Sequence, residues 1–309
     1  MGKERGKSTM LDGVSLDQLR TFIAAVDEGS FSAAARKLNR VQSAVSGWVN
    51  SLEEQIGVLL FDRSGRYPKL TPEGVLLLTD ARNIVAGVDT LKARARLMAS
   101  GLEPELSVVV DVFFPTAVIA AVARDFAMQF PHTPLRLYVE GLGAAYQPVL
   151  DERCSIGIVA SLPIDFPTLS TRILGEVALL MVALHSHPLA TISGTIPKAE
   201  LAKHTQLVVT DRSELMAGQD YGVMSPHTWR LADLSAKHAF ILNGVGWGGM
   251  PLHMVEHDLA AGILQVLDVE SMPHGGKKLT MQAVYPQAAP PGPAGRWFID
   301  QVDFYLHQA

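Results

Sequence analysis

The sequence is poor in cysteine, in charge of one dominant sign and in long apolar runs. A single cysteine among 309 residues, Cys154, excludes an intramolecular disulfide framework and favours a reducing compartment. No N-terminal stretch has the apolar run of a signal peptide, and no window approaches membrane-spanning length. A cytoplasmic protein with no membrane partner is expected. What is present is enough to fold: 48% of residues are hydrophobic and 18% charged, so sizeable cores are expected rather than disorder. The length suits two or three domains. The net charge of −5 hides an asymmetry. Residues 1–100 carry 14 Lys+Arg against 11 Asp+Glu, and the remainder 12 against 20. A basic front suits a chain that presents one end to a polyanion.

Past an extension over 1–14, Ser15-Leu16-Asp17-Gln18 reads as a capping box. Behind it Leu16, Leu19, Phe22, Ile23 and Val26 recur at helical spacing. A short alanine-rich helix follows over Ser32 to Leu38. The next helix, Gln42 to Ile56, buries Val45, Val49, Leu52 and Ile56 and turns Gln42, Ser43, Ser46, Gly47 and Asn50 outward. Short polar groups at a helix start fit base edges in the major groove, and equally fit an ordinary solvated face. Phe61 to Leu70 then reads as a hairpin with Arg63, Arg66 and Lys69, cations suited to phosphate contact. Ser32 and Arg40 flank the same surface.

Thr71-Pro72-Glu73 is a helix-start signal. Beyond it Leu77, Ala81, Ile84, Val88, Leu91, Ala95 and Met98 alternate steps of four and three, a heptad seam suited to pairing with a second chain.

From Leu106 short apolar runs alternate with helical stretches, implying βα units and a mainly parallel sheet. Strands are expected at 106–112, 135–140, 156–159, 177–184, 206–210, 239–242 and 279–285. Helices are expected at 115–129, 252–261 and 296–307. Ligand is expected at loops following the strands: Phe113, Phe114 and Thr116; Gly141; Ala160; Asp211 and Arg212; Val245, Gly246 and Trp247.

Residues 22–74 resemble the DNA-binding region of LysR-type regulators. The resemblance rests on Gly29-Ser30-Phe31, Ala34-Ala35, Leu38, Gln42, Ala44-Val45-Ser46, Leu52-Glu53, Gly57, Leu60-Phe61, Arg63, Leu70-Thr71 and Gly74. Ser43 and Gly47 depart from it, standing where Pro and a larger polar residue are usual. The stretch Asn243 to Pro251 is similar to a Gly-Trp-Gly segment of one subgroup. The resemblance implies an α+β and α/β multidomain fold. A winged helix-turn-helix (15–71) would be followed by a linker helix (72–101) and a two-lobed effector domain of periplasmic-binding-protein type (102–309). Lobe I would comprise 102–164 and 271–309, and lobe II 165–270. It further implies a double-stranded DNA operator, a small-molecule effector, a homodimer or homotetramer, and contact with RNA polymerase where the protein activates. No catalysis, cofactor or metal is expected.

Two literal motifs compete with this reading. Gly244 to Gly249 fits G-x-G-x-x-G, expected here between a strand and a helix, which would make an oxidoreductase. Trp247 would crowd a pyrophosphate, and no earlier mononucleotide half exists. His253 to His257 fits H-x-x-E-H, but without a third ligand a solvated helix face accounts for it. Cys154 lacks the partner a disulfide sensor needs and reads as a buried small residue.

Overall fold

The computed structural model describes residues 13–65, 68–99, 101–216 and 221–308, and its contacts divide into two units, 1–96 and 97–309.

The first unit begins with α1 (Leu16–Asp27), whose Ser15/Gln18 capping box is formed as expected. Then come α2 (Phe31–Lys37) and α3 (Gln42–Ile56), the latter closed by Gly57 in the left-handed region. Strands β1 (Phe61–Asp62) and β2 (Lys69–Leu70) pair antiparallel as the wing. The long α4 (Pro72–Ala99) follows. Phe22, Ala34, Val45, Val49, Leu52 and Leu60 fill the core, and the rings of Phe22 and Phe31 meet Phe61 edge-on at 5.7 and 5.2 Å. The seam on α4 divides along its length. Leu77 packs on this core and Ala81 is buried in it. Val88 is half-buried and Ala95 exposed, while Ile84, Leu91 and Met98 are 52%, 66% and 53% exposed.

The second unit opens with β3 (Leu106–Asp111), α5 (Thr116–Gln129), β4 (Leu135–Glu140), α6 (Gly143–Leu150) and β5 (Ile156–Ala160). Next come β6 (Leu169–Leu184), a 3-10 turn, α7 (Lys198–Leu201), β7 (Gln206–Val209), β8 (Thr228–Leu231) and α8 (Leu234–Leu242). The chain ends with β9 (Gly248–Pro251), α9 (Leu252–Ala260), β10 (Leu264–Val266), β11 (Lys277–Pro286) and α10 (Pro293–Leu306). The main sheet runs β10-β6-β11-β5-β3-β4, with β9 also on β6, and β7-β8 form a separate pair.

Three expectations change. The sheet is mixed: β3 is parallel to β4 and β5, but β11 is antiparallel to β5 and β6, as are β9 and β10 to β6. The strand expected at 177–184 begins earlier, at Leu169. β6 pairs with the Gln282–Pro286 end of β11 through Leu169 to Ile173, and runs on to pair with β9 and β10 through Leu179 to Leu184. Its sixteen residues are half polar at the start, which masked it as a strand. Residues 239–242 are helical, not extended. Asp233 caps α8 by accepting from the Ala236 N–H, and Gly244 follows its end with a positive φ of 72°, stop and start signals that outweigh four apolar residues.

Candidate functional site

Two surfaces carry the residues singled out by sequence. In the first unit α3 exposes Gln42, Ser43, Gly47 and Asn50, with Ser46 half-buried between them. It does so because Val45, Val49, Leu52 and Glu53 occupy its inner face. A Cβ on Gly47 would meet nothing within 4 Å, so packing does not require glycine there. Ser32 lies exposed on α2, and the exposed Arg40 sits over the Trp48 ring at 5.3 Å. Lys69 is exposed on β2, and Arg66 falls outside the described residues.

Arg63 has a structural role that its sequence does not announce. Its guanidinium binds Glu53 Oε2 at 2.7 Å and lies over the Phe31 ring at 5.4 Å. Glu53 is 7% exposed, and its Oε1 accepts from the backbone N–H groups of Leu60 (2.8 Å) and Phe61 (3.1 Å). One carboxylate therefore ties the end of α3 to the wing. Gly74 completes the joint, since a Cβ there would collide with the Leu60 carbonyl oxygen.

In the second unit a cavity of about 950 Å³ lies between the ends of β3 and β5, the crossing strands β6 and β11, and β7 with the 221–226 loop. Asp111 and Ala160 mark the strand ends. Asp111 is 2% exposed; burial pushes its carboxyl up to about 6, against the N–H groups of Phe113, Ala160 and Leu142. Gln206, wholly buried, holds the loop. It donates to the Gly222 carbonyl at 2.7 Å and accepts from the N–H groups of Met224 and Ser225 at 2.7 and 3.0 Å. Lys237 reaches the cavity wall from α8. It is 3% exposed and donates to the Gly249 carbonyl at 2.6 Å, and burial lowers its ammonium to about 7.

Of the ten residues expected to meet ligand, Phe113 and Ala160 line this cavity. Phe114 is in the main core and Thr116 is exposed at the start of α5. Gly141 is buried, where a Cβ would press on Val112. Asp211 accepts from the Ala144 N–H at 3.0 Å, occupying the N-terminus of α6 with the protein's own carboxylate. Arg212 is paired with Glu140. Val245 packs against the main core, and Trp247 is fully buried in a cluster with Met181 and Leu189. Cβ atoms on Gly246 and Gly248 would collide with the carbonyl oxygens of Thr205 and Leu207. The Gly-Trp-Gly segment is thus packing machinery, and it leads from a helix into a strand, the reverse of a dinucleotide fingerprint.

Sequence reasoning missed Lys237 and Gln206. A signal for Lys237 existed: Leu234, Lys237 and Ile241 share the buried face of α8. Cys154 is buried and its thiol pushed up to about 11 by burial, which keeps it protonated and unreactive. Among the described residues no three His, Cys, Asp or Glu side chains are grouped to hold a metal. Likewise no described helix is long and apolar enough to cross a membrane.

A winged three-helix head and a separate α/β unit with a partly enclosed cavity define a two-part DNA-binding sensor. Residues 16–75 match the bacterial regulatory helix-turn-helix family of the lysR type, and residues 99–304 match the LysR substrate binding domain. The chain belongs to the LysR family of transcriptional regulators and is not an enzyme. It is 29% identical over 273 residues to the probable HTH-type transcriptional regulator YhaJ of Escherichia coli K12, covering 88% of this chain and 89% of that one. It is 27% identical over 246 residues to the HTH-type transcriptional activator AllS of Klebsiella pneumoniae, covering 76% and 88%. A cysteine mutant of OxyR from Corynebacterium glutamicum shares the fold with a TM-score of 0.60 at 18% identity, covering 99% and 95% of the two chains.

Proposed function

We propose that this chain is a cytoplasmic, sequence-specific regulator whose DNA reader is residues 15–71 and whose sensor is residues 102–309, joined by the helix over 72–101. The observation that carries the reading is the polar start of α3, turned outward because Val45, Val49 and Leu52 take the helix's apolar face into the core. Gln42, Ser43, Ser46 and Asn50 meet base edges. Arg40, Lys69 and Arg66 meet phosphates, as does the exposed part of Arg63. Gly47 leaves a gap in that contact surface. The apolar residues Ile84, Leu91 and Met98 left exposed on α4 suit pairing with a second copy. A homodimer or homotetramer would then meet a pseudo-palindromic operator, and contact RNA polymerase where the protein activates.

The effector, an aromatic or small organic acid, occupies the cavity between the lobes. It shifts the DNA reader by preferring one arrangement of the lobes over another. The Gly-Trp-Gly segment supports membership of the corresponding subgroup.

Gln42→Ala tests the reading head. On a duplex enriched from a random pool, discrimination at one base position is expected to fall by about 1–3 kcal/mol, measured by competition with single-base variants. Unchanged discrimination at every position would remove Gln42 from the base-reading surface.

A further inference from the structure

The cavity is charged against the grain of its domain. Beyond residue 100 the sequence carries 12 Lys+Arg and 20 Asp+Glu. The cavity nevertheless draws four lysines, Lys198, Lys237, Lys277 and Lys278, and one carboxylate, Asp111. That carboxylate is engaged by backbone N–H groups and shifted toward its neutral form. Lys278 is paired with Glu176 at 2.8 Å, and Lys198 and Lys277 lie exposed at the rim. Lys237 differs from all of them. It is buried in the wall, and among the described residues no carboxylate lies within ion-pair distance of it. Among the described residues it makes one hydrogen bond, to the Gly249 carbonyl, which engages one of an ammonium's three N–H donors. A buried amine without a counter-charge is costly to fold around, and a cavity beside it is where a counter-charge can enter.

We infer that Lys237 anchors an organic anion in the cavity: its ammonium takes the carboxylate of an effector whose apolar body lies along Phe113, Leu179 and Met181. This rests on the cavity being the effector site, and it names the group that selects the effector's charge. The anion supplies the counter-charge that no described residue gives Lys237, while the exposed lysines at the rim draw it in. Burial lowers the amine to about 7, and a bound anion reverses that shift, because an opposite charge close by favours the charged form.

The test uses the full chain and probes that differ only in charge. Aliphatic and aromatic monocarboxylates from butyrate to cinnamate are each compared with their primary amides, by thermal melting as a function of ligand concentration. At least one acid is expected to raise the melting temperature saturably, with its amide about tenfold weaker or more, the loss expected for an unmade charge-assisted contact. The same acid is expected to lose at least about tenfold in affinity on Lys237→Met. The acid–amide comparison needs no variant, so it stands whether or not Lys237→Met folds. Amides that bind as tightly as their acids overturn the anchor, as does acid binding that survives Lys237→Met, or an absence of any acid response. Acids that bind through Lys237 without altering operator affinity would support the anchor and contradict the effector reading instead.

Discussion

Lys237→Met is expected to make the sensor domain more stable while removing its response to an anion. In the unfolded chain the ammonium holds its proton to about pH 10.4, whereas in the fold burial brings it to about 7. Between those values the unfolded state binds the extra proton, so native stability rises with pH across the window. Below pH 7 both states are protonated and the burial penalty stands in full. Each tenfold loss of proton affinity on folding corresponds to about 1.4 kcal/mol, so Met is expected to stabilise the fold by about 3–5 kcal/mol below pH 7. The gain shrinks as pH rises toward 10, where the lost Gly249 hydrogen bond remains as a small cost. Urea melts of native chain and variant at pH 6 and pH 9.5 check this. A variant destabilised at both pH values would mean that the amine serves the native fold rather than a ligand.

Glu53→Ala is expected to have the largest destabilising effect on the DNA-reading head. It strands the buried N–H groups of Leu60 and Phe61 and frees the Arg63 guanidinium from its partner. Two unsatisfied buried donors and a broken, part-buried ion pair together cost about 3–5 kcal/mol. Glu53→Gln keeps an oxygen that can accept from both N–H groups, and is expected to lose only about 1–2 kcal/mol. Thermal melting of both variants separates the contributions. If Gln proved as damaging as Ala, the ion pair with Arg63 rather than the backbone contacts would hold the wing. The same geometry predicts that Arg63→Ala loosens the wing as well as weakening DNA contact, so its effect on DNA cannot be read as a phosphate contact alone.

Local signals made the head legible in the sequence. The Ser15/Gln18 box, the Thr71-Pro72 start, the buried period of α3 and the glycine after it are each written in a few adjacent residues. The sensor was legible where a strand is mostly apolar, as in β3 and β5, both largely or wholly buried. It was not legible in β6, whose first half lies at the surface with polar side chains, nor in α8, whose terminal apolar residues imitate a strand. The cavity was harder still. Ligand was expected at loops and helix starts, but Asp211 fills the α6 start and Trp247 fills a core. Phe113 and Ala160 do line the space, but two of its buried polar groups, Lys237 and Gln206, come from the interior of a helix and the first residue of a strand. The helical period of α8 marks Lys237 as buried, but nothing local marks Gln206, and the significance of both lies in being buried beside an opening that only the assembled β6, β7 and β11 create.

Ligand-controlled reading of DNA sequence is tested most directly by one binding measurement with the full chain. A duplex enriched from a random pool is titrated by fluorescence anisotropy against a scrambled duplex at fixed salt. Both titrations are repeated with a carboxylate that stabilises the sensor. The enriched duplex is expected to bind about 10³-fold tighter or more than the scrambled one, with the acid shifting its affinity in the native chain and not in Lys237→Met. Equal affinity for the two duplexes, with or without the acid, would contradict the reading of this chain as a ligand-controlled reader of DNA sequence.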